Sequence, residues 1–344
     1  MIALVKITYL VPLEIVEQYT AAHRAHLASL HRRGKLLASG PFVPRTGGML
    51  LMQGESEAEI EALTASDPYR VHHIARFEIQ GWSPILGADA LAAMGSLGAL
   101  HEKVVIVTGA SSGIGEATAL ALAAEGATVV AVARREDRLA GLAYKIALCS
   151  RGRCVPIVAD LVSESEARAL IDRVQKELGR LDVLVNNAGV MLLSPIAEAR
   201  PEDWRRMIEL NLVSVMSLTQ AALPMLKAAK GHVVNVASVA GRIANPGASA
   251  YAATKFGIVA FSESLRREVY KDRVRVTVIE PGMVRTELGD HITNAAMKAS
   301  LTERLGAVEP LEASDIASTI VHAVKLPARA SVNEVLIRPT DQER

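Results

Sequence analysis

The feature that most constrains this chain is a short apolar run followed at once by a glycine-rich turn and an alanine-rich stretch, residues 103–125. Val104 to Val107 is apolar and largely β-branched, the signature of a strand buried on both faces. Gly109, Gly113 and Gly115 then break the pattern, and Glu116 to Glu125 resumes it as a helix. Strand, glycine turn and helix together make a setting for an anion. Glycine lets backbone approach a pyrophosphate closely, and the free N–H groups of the helix's first turn face it. Three glycines alone would also suit an ordinary tight turn, so the residues downstream of Glu125 have to decide between the two.

A chain of 344 residues exceeds a typical single domain, and two domains are expected. Net charge is +1 with no basic block, which argues against a nucleic-acid footprint. Cys149 and Cys154 have no ligand set around them and read as free thiols, so no metal is expected. Lys6, Glu14 and Glu17 interrupt any signal-peptide pattern, and no apolar run reaches the roughly 18 residues of a membrane span. The expectation is a cytoplasmic protein with no membrane or nucleic-acid partner.

Residues 1–83 read as a unit of their own. Ile2 to Tyr9 is a strand, and Pro12 to Arg33 a helix ended by Gly34. Lys35 to Gly40 and Gly48 to Met52 are strands, Glu55 to Ser66 a second helix, and His72 to Gln80 a last strand. The order βαββαβ is the ferredoxin-like split pattern. His23, the run Lys35-Leu-Leu-Ala-Ser-Gly-Pro41 and Asp67-Pro-Tyr69 resemble the YCII-related family of dimeric α+β-barrel proteins. That resemblance implies a pairing open sheet face and makes His23 and Asp67 an acid/base pair, with lyase, isomerase or dehalogenase chemistry among its implications. The plainer alternative puts His23 on the helix's inner edge and has Asp67 cap the turn before Pro68, which leaves a dimerisation element. Dimerisation is the preferred reading. Residues 84–100, broken by Gly87, Gly95 and Gly98, form a linker with room for one short helix.

Residues 101–344 read as an α/β domain, a Rossmann-type doubly wound parallel sheet. Gly126 to Ala133 is the second strand, whose end faces the adenosine ribose in a dinucleotide fold. An acidic residue there suits the 2′-hydroxyl of NAD, and arginine suits the 2′-phosphate of NADP. Arg134 and Arg135 follow Gly115 by nineteen and twenty residues, with no carboxylate before Glu136. Guanidinium pairs bidentately with phosphate, so NADP(H) is expected. Arg153 to Val158 is the third strand, before Asp160 and Leu161, and Leu181 to Val185 leads into Asn186-Asn-Ala-Gly189.

Hydride transfer to a carbonyl leaves an alkoxide that needs a proton. A tyrosine hydroxyl suits the task when a nearby cation lowers its pKa. Tyr251 and Lys255 stand four apart on a helix pattern, sharing one face, and Ser238 follows the strand His232 to Ala237. The glycine turn with Thr108 in front, Asn186 to Gly189, Ser238 with Tyr251 and Lys255, and Pro281-Gly282 resemble the short-chain dehydrogenase/reductase family. The resemblance covers residues 101–344 with no motif missing. It implies a catalytic tetrad of Asn211, Ser238, Tyr251 and Lys255, in which Asn211 holds a water linking to the lysine. It further implies cofactor contacts from Gly109, Ser111, Ser112, Gly113, Ile114, Gly115, Asp160, Leu161, Asn187, Ala188, Gly189, Pro281 and Gly282, besides Tyr251 and Lys255. Val284 and Thr286 are expected at the nicotinamide, and a homotetramer or homodimer is the expected assembly.

The segment Met283 to Leu305 is expected to fold over substrate. Leu288, His291, Ile292, Met297 and Leu301 give it a mixed lining without a clustered basic site. Such a lining suits a small-to-medium neutral ketone or aldehyde, or the matching alcohol.

Overall fold

The protein was studied as a computed structural model, which describes residues 1–89, 91 and 98–343. Packing divides the chain into two compact units: residues 1–101 with the stretches 124–126 and 144–153, and the remainder. The short linker helix expected from the sequence falls largely on residues 90 and 92–97, outside the described residues.

In the first unit β1 (Ile2–Tyr9), β2 (Leu36–Pro41), β3 (Gly47–Gln53) and β4 (Ala75–Trp82) form an antiparallel sheet in the order β2-β3-β1-β4. Alternate β1 residues Ala3, Val5 and Ile7 are buried against α1 (Leu13–Arg32) and α2 (Glu57–Ala65), as a period of two requires of a one-sided sheet. The split βαββαβ pattern is therefore present. One helix was not anticipated: α3 (Pro68–Val71), a single turn capped by Asp67, which delays β4 to Ala75. Proline at its first position presets the helical φ.

The second unit holds seven parallel strands in the order β11-β10-β9-β8-β5-β6-β7. These are β5 (Val104–Thr108), β6 (Thr128–Ala133), β7 (Arg153–Val158), β8 (Val183–Asn186), β9 (His232–Val236), β10 (Arg275–Pro281) and β11 (Glu334–Ile337). Every residue of β5, β8 and β9 is buried, because helices cover both faces. The helices of this unit are α4 (Gly113–Ala124), α5 (Glu136–Cys149), α6 (Glu164–Leu178), α7 (Pro201–Ile208), α8 (Ser214–Ala229), α9 (Ser249–Val269), α10 (Ala295–Gly306) and α11 (Ala313–Lys325). The helical stretch Pro201–Ala229 is long and apolar enough to cross a membrane by length and composition alone. Here Leu218, Ala222 and Leu226 place its α8 portion in the sheet's core. The strand order reverses between β5 and β8, and ligands of open α/β sheets bind in the crevice beyond the strand ends at such a point.

Candidate active site

The glycine turn connects β5 to α4 at that crevice. Gly109 and Gly113 have φ of +67° and +54°, backbone that favours glycine. A Cβ on Gly109 would come within 2.9 Å of the Ala188 Cα. One on Gly115 would stand 2.2 Å from the Gly109 carbonyl oxygen. Gly115 thus lets the first turn of α4 press against the turn, while Gly109 lets the chain at Ala188 pass it. Thr108 ties the two together, its hydroxyl accepting from the Asn187 and Ala188 N–H groups at 2.9 and 3.0 Å.

A cavity of about 400 Å³ opens above this turn. Gly109, Ser111, Ser112, Gly113, Ile114, Arg134, Arg135, Asp160, Leu161, Asn187, Ala188 and Gly189 line one side of it. Ser238, Tyr251, Lys255, Pro281, Gly282, Val284 and Thr286 line the other. Of the residues expected at the site, Gly115, Asn211 and Ile292 are not part of this lining. A bare glycine ledge at a helix N-terminus, flanked by exposed guanidinium groups, fits a dinucleotide's phosphates. Arg134 and Arg135 differ in their company. Arg135 donates through Nε and Nη2 to Ser111, through Nη2 to Ser112, and through Nη1 to Glu287 at 2.9 Å. Arg134 has no ion-pair partner among the described residues.

At the other end, Tyr251 and Lys255 lie one turn apart on α9, both buried. Lys255 Nζ donates to the Val236 carbonyl at 2.9 Å and stands 5.7 Å from the Tyr251 ring centroid. Burial pushes the Tyr251 phenol up to about 12, against a hydrogen bond with Ser238 that lowers it. Burial also pushes the Lys255 ammonium down to about 8. A phenol lowered by its neighbouring cation was the expectation; burial raises it instead, opposed by the Ser238 hydrogen bond. Ser238 heads the 3₁₀ turn Val239–Gly241, its Oγ accepting from the Ala240 N–H at 3.1 Å. Asn211 sits in a π-helical turn, Glu209–Val213, between α7 and α8. Its side chain grips the Val190 backbone in both directions at 2.8 Å and donates to Thr254 at 3.3 Å.

Comparison with known proteins fits this arrangement. The family model described as short chain dehydrogenase matches residues 103–296, more than half of the chain. The chain belongs to the short-chain dehydrogenase family. An oxidoreductase of Staphylococcus saprophyticus is 40% identical over 248 residues, covering 71% of this chain and 98% of that one. A glycine betaine reductase of Emericella nidulans is 38% identical over 246 residues, 71% of this chain but 19% of its own length. Among solved structures, the closed form of serine dehydrogenase with NADP⁺ has a TM-score of 0.65 at 30% identity, covering 70% of this chain and 96% of its own. A metagenomic short-chain oxidoreductase with NADP has a TM-score of 0.60 at 31% identity, covering 71% and 100%. A YCII-related domain matches residues 4–83, ahead of the dehydrogenase.

In that YCII-related domain, His23 and Asp67 meet. His23 Nδ1 lies 2.9 Å from both carboxylate oxygens of Asp67, which is 1% exposed. Asp67 also accepts from the Tyr69 N–H at 2.9 Å, so it caps α3 and pairs with the imidazole at once. Tyr69 stacks on the imidazole at 4.0 Å, and its hydroxyl lies 2.8 Å from Thr20 Oγ1.

Several residues lining the dehydrogenase cavity, or bracing the segments that line it, escaped the sequence reading. Gln342, near the chain's end, accepts from the Met283 N–H at 2.9 Å, and a Cβ on Gly282 would stand 2.4 Å from its Oε1. Arg304 and Glu287 also line the cavity. Arg242 donates through two nitrogens to the fully buried Glu280 at 2.7 and 2.9 Å, and also to Glu334. None of these carries a local motif. Their partners lie 38 to 92 residues away for the Arg242 cluster and 59 for Gln342, so only the folded chain brings them together.

Proposed function

We propose that this short-chain dehydrogenase is an NADP(H)-dependent carbonyl reductase or alcohol dehydrogenase acting on a small-to-medium ketone, aldehyde or matching alcohol. The observation that carries the reading is one cavity lined at one end by the glycine turn with Arg134 and at the other by Ser238, Tyr251 and Lys255. The glycine turn and first turn of α4 would hold the pyrophosphate, Arg134 and Arg135 the 2′-phosphate, and Val284 with Thr286 the nicotinamide end. When bound, the nicotinamide cofactor supplies or accepts the hydride.

The chain's own residues handle the proton. In reduction, Ser238 Oγ donates to the carbonyl oxygen and polarises it, and Tyr251 Oη gives its proton to that oxygen as negative charge develops. A phenol held near 12 is a reluctant acid, so the ammonium of Lys255 must stabilise the phenolate as it forms. Lys255 is anchored by Val236, and Asn211 braces Val190 at the wall of the same cavity. A panel of carbonyl substrates with NADPH and NADH, run beside Tyr251→Phe, tests the assignment. Turnover by the Phe variant at the wild-type rate would refute it.

A second reading concerns residues 1–83. The His23–Asp67 contact supports an acid/base role there beside a dimerising one. Donation from Nδ1 to Asp67 would leave Nε2 as the base, with the tautomer fixed by the carboxylate. Product analysis of the full chain against His23→Gln, on an intermediate of the same reaction sequence, tests it; unchanged products leave dimerisation as the domain's role.

A further inference from the structure

Arg135 stands where a 2′-phosphate is read, yet its guanidinium already holds a carboxylate. Nη1 donates to Glu287 Oε2 at 2.9 Å, while Nε and Nη2 are taken by Ser111 and Ser112 of the glycine turn. Arg138 lies 3.6 Å from the other Glu287 oxygen. The Arg135 and Ser112 contacts also hold the Glu287 carboxyl below its ordinary pKa, so it is charged at neutral pH. Glu287 does not belong to the nucleotide-binding half of the domain. It follows Thr286 at the head of the substrate-covering segment, where the 3₁₀ turn Glu287–His291 leads into α10. The step from Thr286 to Glu287 rests on the glycine turn itself: a Cβ on Gly113 would come within 3.1 Å of the Thr286 side chain. Further along the same segment Met297 and Leu301 pack against the buried cluster to which Tyr251 belongs, and both line the cavity.

We propose that Glu287 occupies the cation site of the 2′-phosphate, so that a 2′-phosphorylated cofactor displaces it from Arg135 while an unphosphorylated one leaves it in place. The proposal rests on the NADP(H) reading and deepens it. A carboxylate and a phosphate cannot both take the outward face of one guanidinium without repelling each other, and the phosphate brings the larger charge and more acceptor oxygens. Displacing Glu287 unpins the head of the segment whose Met297 and Leu301 line the same cavity as Tyr251. Cofactor identity is thereby reported to the substrate side of the cavity. Glu287 also acts on specificity, in the opposite sense to Arg134. Its charge disfavours the phosphate, and the pair it makes with Arg135 must be broken.

The test uses the full-length chain and two cofactor fragments, 2′,5′-ADP and 5′-ADP, neither of which can transfer hydride. Calorimetry of the wild type should show tighter binding of 2′,5′-ADP. Glu287→Gln keeps the side chain's size and removes its charge. It should tighten 2′,5′-ADP about two- to fivefold, the range an exposed ion pair's free energy converts to, and leave 5′-ADP unchanged. In wild-type protein, hydrogen exchange over residues 286–306 should speed up on adding 2′,5′-ADP but not 5′-ADP, and in Glu287→Gln it should already be fast without either. Equal or weaker binding of 2′,5′-ADP by Glu287→Gln, with wild-type discrimination intact, would overturn this proposal alone. Equal affinity of the wild type for both fragments would overturn the NADP(H) reading with it.

Discussion

Removing Arg242 exposes how the site's two loops are held. Arg242 follows the Ser238 turn, Glu280 directly precedes Pro281 of the cofactor loop, and Glu334 opens β11. One guanidinium therefore ties three segments together, two of which line the cavity. Glu280 is 0% exposed, whereas the Arg242 side chain is 38% exposed. Deleting one partner of a buried pair leaves a charge without compensation and costs about 3–5 kcal/mol; because Arg242 still reaches solvent, the lower end, about 3 kcal/mol, applies. For a unit of this size each kcal/mol moves the thermal midpoint by roughly 2–4 °C, so Arg242→Ala should lower it by roughly 6–12 °C. Much of that loss is an unpaired carboxylate rather than lost packing. Adding Glu280→Gln to Arg242→Ala should thus restore about half of it, since a neutral amide needs no counter-charge. Thermal and urea unfolding of both single variants and the double variant would measure the cycle. A midpoint within about 2 °C of wild type for Arg242→Ala, less than one kcal/mol's worth, or additive losses in the double variant, would refute the reasoning.

Tyr251→Phe should lower kcat by about 10²-fold or more with the thermal midpoint nearly unchanged, because it deletes one hydroxyl; steady-state kinetics and melting curves check both. In the reducing direction kcat/KM should stay level below about pH 8 and fall above it. Lys255, held near 8 by burial, is charged below that pH and loses the charge that stabilises the phenolate above it. A rate that climbs steadily through and beyond that pH would contradict this. Arg134→Ala should weaken 2′,5′-ADP about tenfold or more with little change for 5′-ADP, a loss of one charge-assisted contact measured by calorimetry. The full chain should run as a homo-oligomer, most simply a tetramer with two-fold axes, in light scattering at micromolar concentration.

The elements that could be read in advance are those whose signal is local. The apolar run Val104–Val107, three glycines at fixed spacing and a Tyr–Lys pair one helical turn apart are each written within a dozen residues. Most of the residues so named line one cavity in the folded chain. Positive φ at Gly109 and Gly113 gives the turn its physical reason. What escaped was set by partners distant in sequence. α3 forms because Asp67 finds the Tyr69 N–H while also holding His23, 44 residues earlier. Tyr251 illustrates the other limit. Its spacing to Lys255 was legible, but the sign of its pKa shift was not, because burial is a property of the packed domain.

That sign has a consequence for how such a site must work. With the phenol near 12 and the ammonium near 8, both groups carry their protons at neutral pH, and proton release from Tyr251 is uphill by several pKa units. In the proposed reaction the deficit is met in the transition state, where charge arises on the substrate oxygen and on the phenol together. On the proposed reading Ser238 and Lys255 supply the stabilisation. Ser238 follows β9 on a 3₁₀ turn, and Lys255 is fixed to the last residue of β9, Val236. The two groups proposed to stabilise charge thus both refer to β9, Ser238 by its place in the chain and Lys255 by its hydrogen bond. The proposed proton donor, Tyr251, shares α9 with Lys255. The catalytic geometry depends on how α9 packs against β9, which makes Arg242, between the Ser238 turn and the start of α9, a natural place for the clip.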